Sequence, residues 1–236
     1  MKHFAHRSAW LYSLMAMMLV AGSLFAAFSS GANAQDEKVL RIHQSTFPEN
    51  ADPQKSSFTN EIAVLALNYE GLTRQDNDLN TVPAAAESWE FNEDGTELTL
   101  HFREGLKWSD GSPLNAHDFE YSWKRVLNPE LASETAYTLY GVIKNGYEYF
   151  VDQSVTADEV GVKALDDRTL KVTLMAPAPY FISMTASTAF MPVKKAIIDQ
   201  YGEEWETKVE SYVSNGPFMV AELKPDEKYV FKKNPY

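Results

Sequence analysis

Beyond its first 34 residues the sequence holds three histidines, His43, His101 and His117, an adjacent carboxylate pair, Asp166-Asp167, and three tryptophans along one stretch, Trp89, Trp108 and Trp123. Imidazoles could ligate a metal or relay protons, paired carboxylates could divide acid and base roles, and indole faces could stack on sugars or bases. Each group also has a plainer reading. The histidines stand singly in strand or helix-start contexts, which suits structural side chains, and none is assigned to a metal. Neighbouring side chains of a turn point apart into water, so Asp166-Asp167 reads as a turn and not as a catalytic dyad. The tryptophans fall at apolar-periodic or turn-flanking positions, where core packing is the better account.

The usual catalytic signatures are missing. The sequence contains no G-x-G-x-x-G, no phosphate-cradling G-x-x-x-x-G-K, no H-E-x-x-H and no G-x-S-x-G elbow. With no cysteine there is no thiolate nucleophile, no disulfide framework, no thiolate metal site and no thiol for lipid attachment. No catalytic residue, metal or cofactor is assigned, and the expectation is a protein that is not an enzyme.

The elements that would position any site are short and mostly local. Val39–His43 reads as a strand with Leu40 and Ile42 on one face. Asn60 is a candidate N-cap for a helix carrying Ile62, Leu65, Ala66 and Tyr69 and stopped by Gly71. Trp89 and Phe91 alternate with polar residues before the Asp94-Gly95 turn, and Leu98, Leu100 and Phe102 alternate after it, predicting a hairpin. Asn115 with Asp118 caps a helix whose Phe119, Trp123 and Val126 share a face, ended by Asn128-Pro129. Val160 and Val162, the Asp166-Asp167 turn, and Leu170, Val172 and Leu174 predict a second hairpin. A short helix through Ala196, Ile197 and Tyr201 follows Pro192, then strands begin at Phe218 and around Tyr229–Phe231. The fold class expected is α/β in the mixed α+β sense, with mainly antiparallel pairing. The chain reaches Asn234-Pro235-Tyr236 with no cap or polar tail after its last strand, and it reads as cut off there.

The 236 residues are 44% hydrophobic and 13% aromatic, enough to bury a core. Lys2, His3, His6 and Arg7 precede an uncharged run from Ala9 to Phe28, and Ala32-Asn33-Ala34 then supplies the small-x-small pattern read by a signal peptidase. Residues 1–34 are expected to be a cleavable signal peptide, cut between Ala34 and Gln35, and not a retained anchor. Cleavage removes Lys2 and Arg7 and no acidic side chain, so the formal charge of −12 becomes more negative still. A chain this acidic repels phosphate backbones and anionic lipid, which disfavours nucleic-acid and membrane-surface partners.

The order of segments resembles the family 5 solute-binding proteins of ABC importers, and within them the oligopeptide binders. The segments are Asp52-Pro53; Tyr69-Glu70-Gly71-Leu72; Pro83 with Ala86-Glu87-Ser88-Trp89; Phe102 to Gly111; and Ala116 to Arg125. The oligopeptide branch is favoured by Gly161 to Asp167, Pro179-Tyr180-Phe181 and Ser214-Asn215-Gly216-Pro217-Phe218. The resemblance implies a type II periplasmic-binding-protein lobe with an extra subdomain, the second lobe missing from this sequence. Residues 35–77 with 165–236 would form part of the first lobe and 78–164 the extra subdomain. It also implies a periplasmic monomer with no lipid anchor that binds oligopeptides as an added strand and delivers them to permease subunits. The ligand-binding residues it implies are the backbone of Ser57, Phe58 and Thr59, and Tyr137, where spacing after Pro129 departs from the pattern by about two positions. The groups that would receive the peptide termini lie in the missing lobe. Other cargoes of the same architecture are dipeptides, nickel chelates, opines and sugars; a secreted hydrolase is the reading from another class.

Overall fold

In the computed structural model, which describes residues 39–236, the expected strand Val39–His43 is absent. A strand needs a ladder partner for its N–H and C=O groups, and no described residue pairs with this segment. The leader and the cleavage site at Ala34 and Gln35 lie outside the described residues.

The first helix among the described residues, α1, spans Thr59–Asn68, and its N-cap is Phe58, not Asn60. Electrostatics sets that start: the Glu61 carboxylate accepts the N–H groups of Ser57 at 3.0 Å and Phe58 at 3.2 Å, ahead of the first turn. Its buried face is Glu61, Val64, Leu65 and Asn68, while Ile62 and Ala66 face water. A two-strand arm follows, β1 (Thr73–Gln75) with β2 (Thr81–Pro83), joined by a turn in which Asp76 Oδ1 accepts from Asp78 and Asn80.

The predicted first hairpin is β3 (Ala86–Phe91) with β4 (Glu97–Phe102). Asn92 Oδ1 takes the N–H groups of Thr96 and Glu97 across its turn. Helix α2, Ala116–Val126, carries the predicted capping box: Asn115 Oδ1 accepts from His117, and Asp118 Oδ2 accepts from Asn115. Short helices α3 (Tyr137–Tyr140) and α4 (Gly146–Phe150) lead to the second hairpin, β5 (Val162–Asp166) with β6 (Thr169–Thr173). Helices α5 (Phe181–Met184) and α6 (Lys195–Tyr201) and a closing hairpin, β7 (Phe218–Lys224) with β8 (Lys228–Lys233), complete the order.

Both inner hairpins join one antiparallel sheet in the order β3-β4-β6-β5. Register brings Leu98 opposite Val172 and Leu100 opposite Leu170, so the apolar alternation of each strand lands on one face. Helix α2 covers that face with Phe119, Trp123 and Val126, all fully buried. Trp123 meets Phe181 and Phe190 edge-on, with centroids 6.0 and 5.0 Å away, and donates its Nε1–H to the Phe190 carbonyl at 2.9 Å. The outer edge of β5 is not left open: Glu120 on α2 accepts the Ala164 N–H at 2.8 Å. The junction of Ala164 and Leu165 lies inside β5, and the sheet continues through β6 to Thr173.

A second hydrophobic cluster joins α1 to β7 through Leu65, Tyr69, Trp205, Tyr212 and Val220. Between the two clusters, segments far apart in sequence lock together. Ser109 donates its N–H to Ser214 O at 2.7 Å, and its Oγ accepts the Ser214 N–H at 3.1 Å. Asn215 clasps the backbone of Glu70 from both sides, accepting its N–H at 3.1 Å and donating to its carbonyl at 2.8 Å. Gly216 then donates to Asn68 O at 2.9 Å, so close that an added Cβ would lie 2.5 Å from the Asn68 and Tyr69 backbone. Gly216→Ala is therefore expected to cost roughly 2–3 kcal/mol through overpacking against backbone that has no room to move. A urea melt with the parental midpoint would show that the two segments separate freely.

Candidate functional site

Residues 50–57 form a strap tied down almost entirely by its own polar groups. Asp52 starts it: its carbonyl accepts from Lys55 and Ser56, and its Oδ1 takes the Gln54 N–H at 2.9 Å. Its other oxygen lies 2.8 Å from Arg125 Nη2, with both side chains buried, at 1% and 7% exposure. Arg125 Nη1 donates to Gln54 Oε1 at 2.6 Å, and Gln54 Nε2 donates to Ser122 O at 2.9 Å. The Gln54 carbonyl takes the Ser133 hydroxyl at 2.6 Å, and Tyr212 donates to Ala51 O at 3.0 Å. Glu61 closes the strap by accepting the Asn50 N–H at 3.0 Å in addition to those of Ser57 and Phe58. At the outer side Lys55 pairs with Glu203, whose carboxylate also lies 3.6 Å from Arg125.

This anchoring presents Ser57, Phe58 and Thr59 at the surface, all three exposed, with Phe58 at 61%. Their backbone groups are not equally available. The N–H of Ser57 and both polar backbone groups of Phe58 are used, the Phe58 carbonyl accepting from Glu61 and Ile62. Among the described residues the Ser57 carbonyl and the Thr59 N–H carry no hydrogen bond. Tyr137, which opens α3, is exposed to the same extent as Phe58. Its segment is brought beside the strap by the Ser57 hydroxyl, 2.9 Å from Glu134 Oε2, and by Ser133 on Gln54.

The other residues that could carry chemistry are dispersed. His101 stands 3.5 Å from Glu90 and His117 3.8 Å from Asp167, each an exposed contact with one carboxylate. Among the described residues no group of His and carboxylate side chains has the makings of a metal site. Asp166 Oδ1 accepts the Arg168 N–H at 2.7 Å, which holds its carboxyl below the usual range, while Asp167 points to water. Trp108 and Trp123 are core residues and Trp89 is half-buried.

Sequence reasoning missed Gln54, Glu61, Arg125, Ser133 and Glu134. One signal was legible: Ser122 and Arg125, three residues apart, interrupt the buried face that Phe119, Trp123 and Val126 define, and a charge there needs a partner. Replacing Arg125 by Met leaves Asp52 buried without its counter-ion and is expected to cost about 3–5 kcal/mol. The paired change with Asp52→Ala should recover part of that loss in denaturant melts.

Beneath the strap Glu206 is half-buried, and its Oε2 is buried without a hydrogen-bond partner among the described residues. Burial pushes its carboxyl up from the ordinary 4.5 to about 7, with Asp52 and Glu203 adding to the rise and Lys55 and a backbone N–H opposing it. The folded chain thus holds the proton more tightly than the unfolded chain. That contribution to stability is complete below pH 4.5 and is lost as pH rises through about 7. The melting temperature of Glu206→Gln should accordingly lack the decline that the parent shows between these limits; identical profiles would refute the assignment.

Comparison with known proteins places these features in context. The pattern of the family described as bacterial extracellular solute-binding proteins, family 5 middle, matches residues 80–236. The periplasmic oligopeptide-binding protein OppA of Salmonella typhimurium is 35% identical over 94% of this chain and 40% of its own length. The probable deoxycholate-binding periplasmic protein YgiS of Escherichia coli is 36% identical over 96% of this chain and 42% of its own. Among solved structures, Listeria monocytogenes OppA bound to peptide superposes with a TM-score of 0.80 at 33% identity, covering 85% of this chain and 39% of that one. The chain thus spans about two fifths of the length of the curated relatives it matches.

Proposed function

Because the chain belongs to the bacterial extracellular solute-binding proteins of family 5, we propose that it is the cargo-binding component of an ABC importer, taking up oligopeptides in the periplasm and handing them to the membrane permease. Its work is capture and delivery, with no bond made or broken. It acts as a monomer, exported by the signal peptide of residues 1–34 and free of a lipid anchor. The observation that carries this reading is the strap itself. Buried side chains hold it from behind, and it offers a carbonyl at Ser57, an N–H at Thr59 and exposed aromatic rings at Phe58 and Tyr137. Backbone groups of this kind pair with a ligand's main chain and leave its side-chain sequence largely unread. We further assign residues 78–164 to an extra subdomain and residues 35–77 with 165–236 to part of the first lobe.

This wall alone leaves a bound peptide half in water, and a half-buried ligand gains little. Calorimetry on residues 35–236 is expected to find no sub-micromolar peptide binding; finding it would contradict the one-wall account. For the role itself, disrupting the gene in its bacterium should abolish growth on a mixed oligopeptide digest as sole amino-acid source while leaving growth on free amino acids intact. Unchanged growth on both would remove the reading. A second cargo class, a small amphiphile, is favoured by the relative described as a probable deoxycholate-binding protein. Native mass spectrometry of the protein as exported separates the two by the mass of what it carries.

A further inference from the structure

The strap region holds one charged group that the anchoring does not use. Glu134 is exposed, accepts a hydrogen bond from the Ser57 hydroxyl at 2.9 Å, and forms no ion pair with any described residue. The neighbouring cations are committed elsewhere: Lys55 to Glu203, and Arg125 to Asp52. Ser57 fixes one carboxylate oxygen of Glu134 in place, and Ser133 on the Gln54 carbonyl fixes the backbone just before it. Phe58 follows Ser57 directly in the chain and Tyr137 lies three residues past Glu134; both aromatic residues are 61% exposed. An oriented carboxylate that no described cation neutralises, with open aromatic residues close to it in the chain, is the chemistry that receives a cation, since the carboxylate supplies charge and ring faces supply a quadrupole.

Building on the peptide-binding reading above, we propose that Glu134 is a specificity-determining residue that selects peptides carrying a cationic side chain where they cross the strap. Ser57 acts on it as a positioning residue, holding one carboxylate oxygen in a fixed place at the surface. The backbone groups at Ser57 and Thr59 set general affinity, and Glu134 sets the preference laid over it. The overall negative charge of the chain works in the same direction by raising the local concentration of cations.

Equilibrium dialysis at millimolar peptide, on protein purified as its host exports it, tests this with the tripeptides Ala-Lys-Ala and Ala-norleucine-Ala. The two have the same termini and length and differ by one charge. The lysine peptide is expected to bind about five-fold tighter at low salt. Glu134→Gln should bring the two peptides to equal affinity. Ser57→Ala should reduce the preference and leave part of it. Equal affinities on the parent protein, or a preference that survives in Glu134→Gln, would overturn the role of Glu134 and leave the peptide reading standing. Binding of neither peptide takes the peptide reading down together with it.

Discussion

The structure around the candidate site depends on one buried ion pair, Asp52 with Arg125. Burying both charges is costly, and neighbouring polar groups offset part of the cost: Gln54 takes a second guanidinium nitrogen, Ser122 and Ser133 take Gln54, and Glu203 approaches from outside. Such a pair adds little net stability compared with apolar residues of the same volume, but it admits very few arrangements. That selectivity matters for a loop with no regular secondary structure, which apolar contacts alone would leave free to slide. Through Arg125 the strap is referred to α2, and through α2 to the four-stranded sheet.

A second junction does for the two hydrophobic clusters what the ion pair does for the strap. Ser109, Ser214, Asn215 and Gly216 tie the loop after β4 and the approach to β7 onto the end of α1. The segments that carry the family resemblance, around Glu70, Ser109 and Ser214, meet at this point. At Gly216 the backbone approach leaves no room for a Cβ, and none of these segments belongs to the presented face.

The parts of the fold legible in the sequence are those whose cause is local. Both inner hairpins and α2 follow from alternation, turn residues and a capping box within a few positions of each other, and they stand where the pattern put them. The start of α1 was misplaced because its determinant, Glu61, acts backward on Ser57 and Phe58 and reads in sequence as an ordinary helical residue. The arm β1–β2 escaped notice because Thr73–Gln75 and Thr81–Pro83 have no apolar alternation. For the candidate site, Ser57–Thr59 and Tyr137 came from the family resemblance alone, as separate positions. Their proximity rests on contacts such as Ser57 with Glu134, 77 residues apart, which no periodicity announces.

Most anchors of the strap lie on its buried side, while Ser57, Phe58, Thr59 and Tyr137 are exposed. Holding the loop and forming its outward surface therefore fall largely to different residues. Phe58 and Tyr137 supply none of the anchoring side-chain contacts, so substitution there changes what the surface offers while the scaffold beneath it keeps its ties.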